Sequence, residues 1–255
     1  MTCTVQQNQP TTPPLKVLLP PIKGEYDTNQ YRTIELANGM TVMAIHNDAF
    51  NKSGACINIK VGKFDDKLYG KGMSTFVANN LLLNHDNDED PYDLYSFVAE
   101  RSGHMNVTVE EEHTEIDFRI STSGFEEMFK KLANCFLESP IKNSDFESME
   151  CWLRWKRFGM KMRLVDEERP EKDGKNTPMH WIRRVASQVC KSSHPYYNHL
   201  CHVTDSEICS NPTFVEQFER LWRDKFTARN MTLVLYGNIG LDWLIEYAVK
   251  YYGPI

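Results

Sequence analysis

Glu150 and Arg157 fall on the run Phe146, Glu150, Leu153, Arg157 and Met160, spaced i, i+4, i+7, i+11 and i+14. At helical spacing these positions share one face, so two opposite charges interrupt an otherwise apolar stripe. Charged side chains are rarely buried without a partner. The pair therefore reads first as an internal ion pair or a solvated face, and only second as a functional device. The turn S-H-P-Y-Y-N-H-L-C-H gathers His194, His199, Cys201 and His202, with Cys209 close behind. Zinc accepts those ligand types, but neither C-x₂-C nor H-x₃₋₅-H spacing is completed. Asp86 to Asp90 reads D-N-D-E-D like the start of a calcium loop. Pro91 and Phe97 stand where that loop needs Gly and Glu, which leaves a solvated acidic stretch. There is no Gly-rich phosphate cradle and no G-x-S-x-G.

The elements that would position these groups show in the periodicity. Ile34 and Leu36, then Asn38-Gly39, then Val42 and Ala44 predict two strands joined by a type I′ hairpin turn. Ile57, Ile59 and Val61 alternate in a third strand ending at Gly62. From Gly72 the spacing turns helical, through Met73, Phe76, Val77 and Leu81. Asp90 as cap and Pro91 at the first position open a helix with Leu94, Phe97 and Val98. Met105, Val107 and Val109 alternate, as do Ile116, Phe118 and Ile120. A helix from Gly124 carries Phe125, Met128, Phe129, Leu132 and Phe136 on one face, with Glu126–Lys130 and Glu127–Lys131 pairs opposite. Ser144 and Glu147 form a capping-box signature ahead of the Glu150 helix. The rest reads as a charged excursion over 166–177, a helix with Ile182, Val185 and Val189, a helix through Phe214 and Trp222, a strand from Met231 and a last helix.

Composition excludes several classes. The chain has 255 residues, 41% hydrophobic, and no window nears 18 uninterrupted apolar residues, which argues against a membrane partner. A net charge of −6, from 29 Lys+Arg against 35 Asp+Glu, argues against nucleic acid. Seven scattered cysteines without C-x-x-C, and a start lacking a secretory pattern, lead us to expect a cytoplasmic chain with reduced thiols. Five prolines in residues 1–24 mark a weakly ordered arm, leaving 25–255 as a single domain.

In combination, several motifs resemble the insulinase or pitrilysin metallopeptidases, on the insulin-degrading enzyme and nardilysin branch. Y-R-T-I-E-L-A-N-G-M-T-V resembles that family's first hairpin, and V-G-K-F-D-D-K-L-Y-G-K-G-M (Val61 to Met73) its lead-in to the catalytic helix. Gly103 and Asn106 with E-E-H-T-E-I-D-F resemble the strand on which the family lays substrate. Ser193-His194-Pro195 and R-D-K-F-T-A-R-N-M-T-L-V-L-Y-G are similar as well. The resemblance implies an α+β fold, a mixed, mostly antiparallel sheet with helices packed on one face. It also implies a zinc site built on H-x-x-E-H, completed by a distal glutamate.

Carried over residue by residue, the motif positions are Thr75, Ala78 and Asn79, and the distal ligand position is Arg157. None keeps a zinc ligand or the general base. Glu150 matches a glutamate that supports the metal site, so Arg157 is expected to fill the ion's space and neutralise it. A guanidinium ~4 Å from Zn²⁺ is repelled by about 8 kcal/mol at an effective dielectric of ~20, comparable to the binding free energy of a good zinc site. Ala78 cannot take a proton from water. The expectation is a catalytically inactive, metal-free peptidase-family domain. It would bind a peptide or partner protein, including a catalytic homologue, along Gly103, Asn106, Val107 and Thr108. The alternative is a zinc metalloendopeptidase, active through a partner subunit or through a non-standard site such as the histidine turn.

Overall fold

The computed structural model describes residues 15–82, 93–137, 178–197 and 213–255. Its strands are β1 (Lys16–Leu18), β2 (Gln30–Glu35), β3 (Thr41–His46), β4 (Ser53–Ile59), β5 (His104–Val109), β6 (Thr114–Ile120) and β7 (Met231–Gly237). They form one sheet in the order β1-β2-β3-β7-β4-β6-β5. Every neighbouring pair is antiparallel except β3 with β7, which makes the sheet mixed and mostly antiparallel, as expected. The helices are α1 (Asp66–Tyr69), α2 (Met73–Leu81), α3 (Asp93–Glu100), α4 (Phe125–Leu137), α5 (Pro178–Val189), α6 (Phe214–Lys225) and α7 (Leu241–Tyr252).

Alternation along the strands divides the sheet into two faces. Ile34, Val42, Leu233, Ile57 and Ile116 stand in one cross-strand row, and all are buried. The adjacent row, Met43, Val234, Cys56 and Asp117, points the other way and is only half-buried. Helices cover the first face: α7 lies along β2 and β3, α4 against β4 and α7, and α2 and α3 against β5. The core between α4 and α7 is aromatic, with Phe129 stacked on Phe125 at 5.4 Å and tilted against Tyr252 at 4.6 Å. Burying such rings is the main source of the free energy that holds helices to sheet.

Several local expectations need correction. The Asn38-Gly39 turn is not type I′, because Gly39 alone has positive φ, +88°. The Gly39 amide donates to the Leu36 carbonyl and the Leu36 amide to Met40, giving a three-residue loop with Gly in the left-handed position. Glu126 does not pair with Lys130; it accepts from the Tyr251 hydroxyl at 2.7 Å and meets Lys250 at 3.5 Å, because α7 brings a stronger donor set across. Within the proline-rich stretch, Lys16–Leu18 is extended but paired to β2. The helix expected around Ile182, Val185 and Val189 is present as α5, with those three side chains exposed. The Asp90–Pro91 cap, the Ser144–Glu147 box, the helix carrying Glu150 and Arg157, and the 166–177 excursion lie outside the described residues.

Candidate functional site

The helix that carries the motif positions is held from its N-terminal side. Gly62 sits where a Cβ would lie 2.5 Å and 2.6 Å from the Glu111 and Glu110 carbonyl oxygens. That bare backbone lets the following segment dock on the β5–β6 hairpin: the Lys63 amide donates to Glu110 at 2.9 Å, and Phe64 to Glu111 at 2.8 Å. Asp65 meets Lys225 of α6 at 2.7 Å. Gly70 and Gly72, at φ +119° and +75°, then turn the chain back. Asp66 closes the turn, one carboxylate oxygen accepting from Gly72 at 2.9 Å and the other from Ser74 at 2.8 Å. Two amides at the start of α2 are thereby satisfied by one side chain.

Burial raises the Asp66 carboxyl above its ordinary range, with the Ser74 and Gly72 donors pulling the other way. Its folded-state affinity for a proton thus exceeds that of the unfolded chain, so its contribution to stability diminishes as pH climbs above about 4. Asp66→Asn, which keeps one acceptor oxygen and does not titrate, is therefore expected to narrow its Tm difference from the parent as pH rises above about 4. Asp66→Ala, which removes both acceptors, is expected to lose about 1–2 kcal/mol in denaturant titration near pH 4 and less as pH rises.

On α2, Thr75 and Asn79 are half-buried and Ala78 is fully buried, three positions on one helical face. They offer a hydroxyl, an amide and a methyl, without an imidazole or carboxylate among them. That donor set does not fit zinc, which needs anionic or imidazole ligands. Among the described residues, no three His, Cys, Asp or Glu side chains converge on a point. Glu150 and Arg157 lie outside the described residues, as do His199, Cys201, His202 and Cys209. His194 is described: its Nδ1 accepts from the Tyr196 amide at 3.1 Å, and its ring meets Phe64 edge-on at 6.0 Å.

Beside α2 runs β5, the last strand of the sheet. Gly103 brings α3 into it, since a Cβ there would lie 2.5 Å from the Arg119 carbonyl oxygen and 2.8 Å from that of Val98. Its role is close packing. Asn106 and Thr108 share the face away from the helices, joined by a 3.0 Å hydrogen bond from Asn106 Nδ2 to Thr108 Oγ1. Val107 packs on the helix side against the core. Across the hairpin, the Glu110 amide donates to the His113 carbonyl at 2.8 Å. Amide direction alternates along an antiparallel pair, so His104, Asn106 and Thr108 turn their backbone toward β6. The N–H and C=O of Met105, Val107 and Val109 turn outward, where no described strand pairs with them. Sequence reasoning missed the Asp66 cap and the half-buried Cys56. Burial, then Glu115, pushes its thiol up to about 12.

The family model for Insulinase (Peptidase family M16) matches residues 41–177. An insulin-degrading enzyme homolog of Dictyostelium discoideum is 24% identical over 235 residues, covering 92% of this chain and 23% of that protein. Insulin-degrading enzyme of Homo sapiens is 30% identical over 115 residues, 45% of this chain and 11% of that protein. Among solved structures, pitrilysin superposes with TM-score 0.67 at 18% identity, over 94% of this chain and 25% of that one. A protease from Helicobacter pylori superposes at TM-score 0.66 and 14% identity, over 88% and 50%. The chain spans about a quarter of the length of the first of these curated relatives.

Proposed function

We propose, from the premise that this chain belongs to the insulinase family (peptidase family M16), that it is a catalytically inactive member binding an extended peptide or partner segment along β5. The observation that carries the reading is the make-up of α2, where Thr75, Ala78 and Asn79 occupy the positions that the resemblance assigns to zinc ligands and general base. Strand addition needs no metal: outward main-chain groups supply the hydrogen bonds, and alternate side chains supply selectivity. The proposed partner segment includes one carried by another member of this family. A catalytic homologue belongs to that class. A cytoplasmic setting is part of the proposal, supported by the free thiols Cys56, Cys135 and Cys190. No described helix is long and apolar enough to cross a membrane.

Two measurements test this. Metal analysis of the purified chain is expected to give less than about a tenth of an equivalent of zinc, with no chelator-sensitive peptide cleavage. A full equivalent accompanied by cleavage would establish the metalloendopeptidase alternative. Val107→Pro removes one outward amide and leaves the ladder to β6 intact, an arrangement proline tolerates on an edge strand. It is expected to weaken peptide binding by at least about tenfold while lowering Tm by no more than about 5 °C. Unchanged binding would place the peptide elsewhere.

A further inference from the structure

This inference rests on the reading of β5 as a binding edge and assigns the charge pattern of its ligand. On the face away from the helices, Asn106 stands opposite Asp117 and Thr108 opposite Glu115. Those two carboxylates lie in turn beside Cys56 and Asn58 of β4. A strand added to β5 would sit about 4.8 Å beyond it and place its backbone about 10 Å from those of Asp117 and Glu115, within reach of a long basic side chain. Neither carboxylate forms an ion pair with a described residue. Burial, and then the Glu115 charge, raise the Asp117 carboxyl above its ordinary range against the opposing pull of His104, the Asn106 hydrogen bond and Arg119, so a cation arriving there relieves a like-charge contact.

The surroundings have the same sign. Between His104 and Arg119 the chain carries Glu110, Glu111, Glu112, Glu115 and Asp117 against the single guanidinium of Arg119. Arg119 belongs to the neighbouring row, opposite His104 and Gly54, and so marks the end of the anionic stretch. On the helix side the same added strand would meet Met105 and Val107, both apolar. We propose that β5 selects an extended segment whose side chains alternate basic and apolar, with Lys or Arg beside Asn106 and Thr108, facing Asp117 and Glu115. Charge complementarity then sets which segment docks, and the main chain sets that one docks at all.

The test uses the full chain and three short acetylated peptides of alternating Lys-Val, Gln-Val and Glu-Val, titrated by fluorescence anisotropy. The Lys-Val peptide is expected to bind about tenfold tighter than Gln-Val, and Glu-Val weaker still. Added salt should narrow the gap. In Asp117→Asn with Glu115→Gln the preference for Lys-Val over Gln-Val is expected to fall to about twofold. Equal affinity for Lys-Val and Gln-Val, still lost in Val107→Pro, would overturn the charge pattern and leave the binding edge standing. Binding indifferent to Val107→Pro would overturn both.

Discussion

Replacing Thr75 and Asn79 by histidine together with Arg157→Glu is expected to turn a chain that loses zinc on dialysis into one that retains one equivalent. Thr75 and Asn79 are four residues apart on α2, the spacing at which two imidazoles share one face and can reach a single ion. Both are half-buried, so imidazoles can replace them without entering the packed core. The family resemblance assigns Arg157 to the distal ligand position, and on that assignment histidines alone should be insufficient, because the guanidinium would remain. At an effective dielectric of ~20 its repulsion of a divalent ion ~4 Å away is about 8 kcal/mol, enough to cancel most of the binding free energy of a structural zinc site. The double variant with Arg157 retained is therefore expected to stay metal-free by mass spectrometry of the native protein.

Ala78 separates binding from chemistry. With the three ligands in place and Ala78 retained, zinc would be held without hydrolysis, since no side chain at that position can accept a proton from water. Adding Ala78→Glu should bring chelator-sensitive cleavage, at the expense of stability, because Ala78 is fully buried and a carboxylate must be accommodated there. Retention of zinc by the double variant alone would show that Arg157 does not face this helix.

The helix and the strand pair of this site were legible because their apolar periods are local. Met73, Phe76, Val77 and Leu81 repeat at helical spacing and are buried, while Met105, Val107 and Val109 repeat at two. What holds them together was not legible, since each contact joins segments that no local pattern connects. Asp66 caps a helix from across two glycines, and Cys56 meets Glu115 and Asp117 only because β4 pairs with β6. The hairpin turn failed for a different reason. Asn-Gly suits several loops, and choosing between them depends on whether Asn38 takes positive φ, which the dipeptide does not decide. The charge pair Glu150 and Arg157 was singled out by sequence, but its placement lies outside the described residues.

Gly62→Ala is expected to be among the most damaging single substitutions available outside the core, and to reach the binding edge. Gly62 has φ −146°, a value open to any residue, so the objection to alanine is space, not backbone strain. The new Cβ would meet two carbonyl oxygens of the hairpin at 2.5 Å and 2.6 Å, and neither is the tip of a flexible side chain. Relief requires moving the hairpin away from the Lys63 and Phe64 amides, which then lose their acceptors. The expected loss is about 3 kcal/mol, or roughly 6–12 °C in Tm for a domain of this size. Because Glu110 continues β5 and fixes which of its amides face outward, the same shift should weaken peptide binding at temperatures where the variant is folded. Gly103→Ala, which also crowds two carbonyls but at the opposite end of β5, makes the comparison. A Gly62→Ala chain that melts with the parent and binds peptide equally well would mean that the hairpin yields freely, and that Gly62 does not hold α2 and β5 in register.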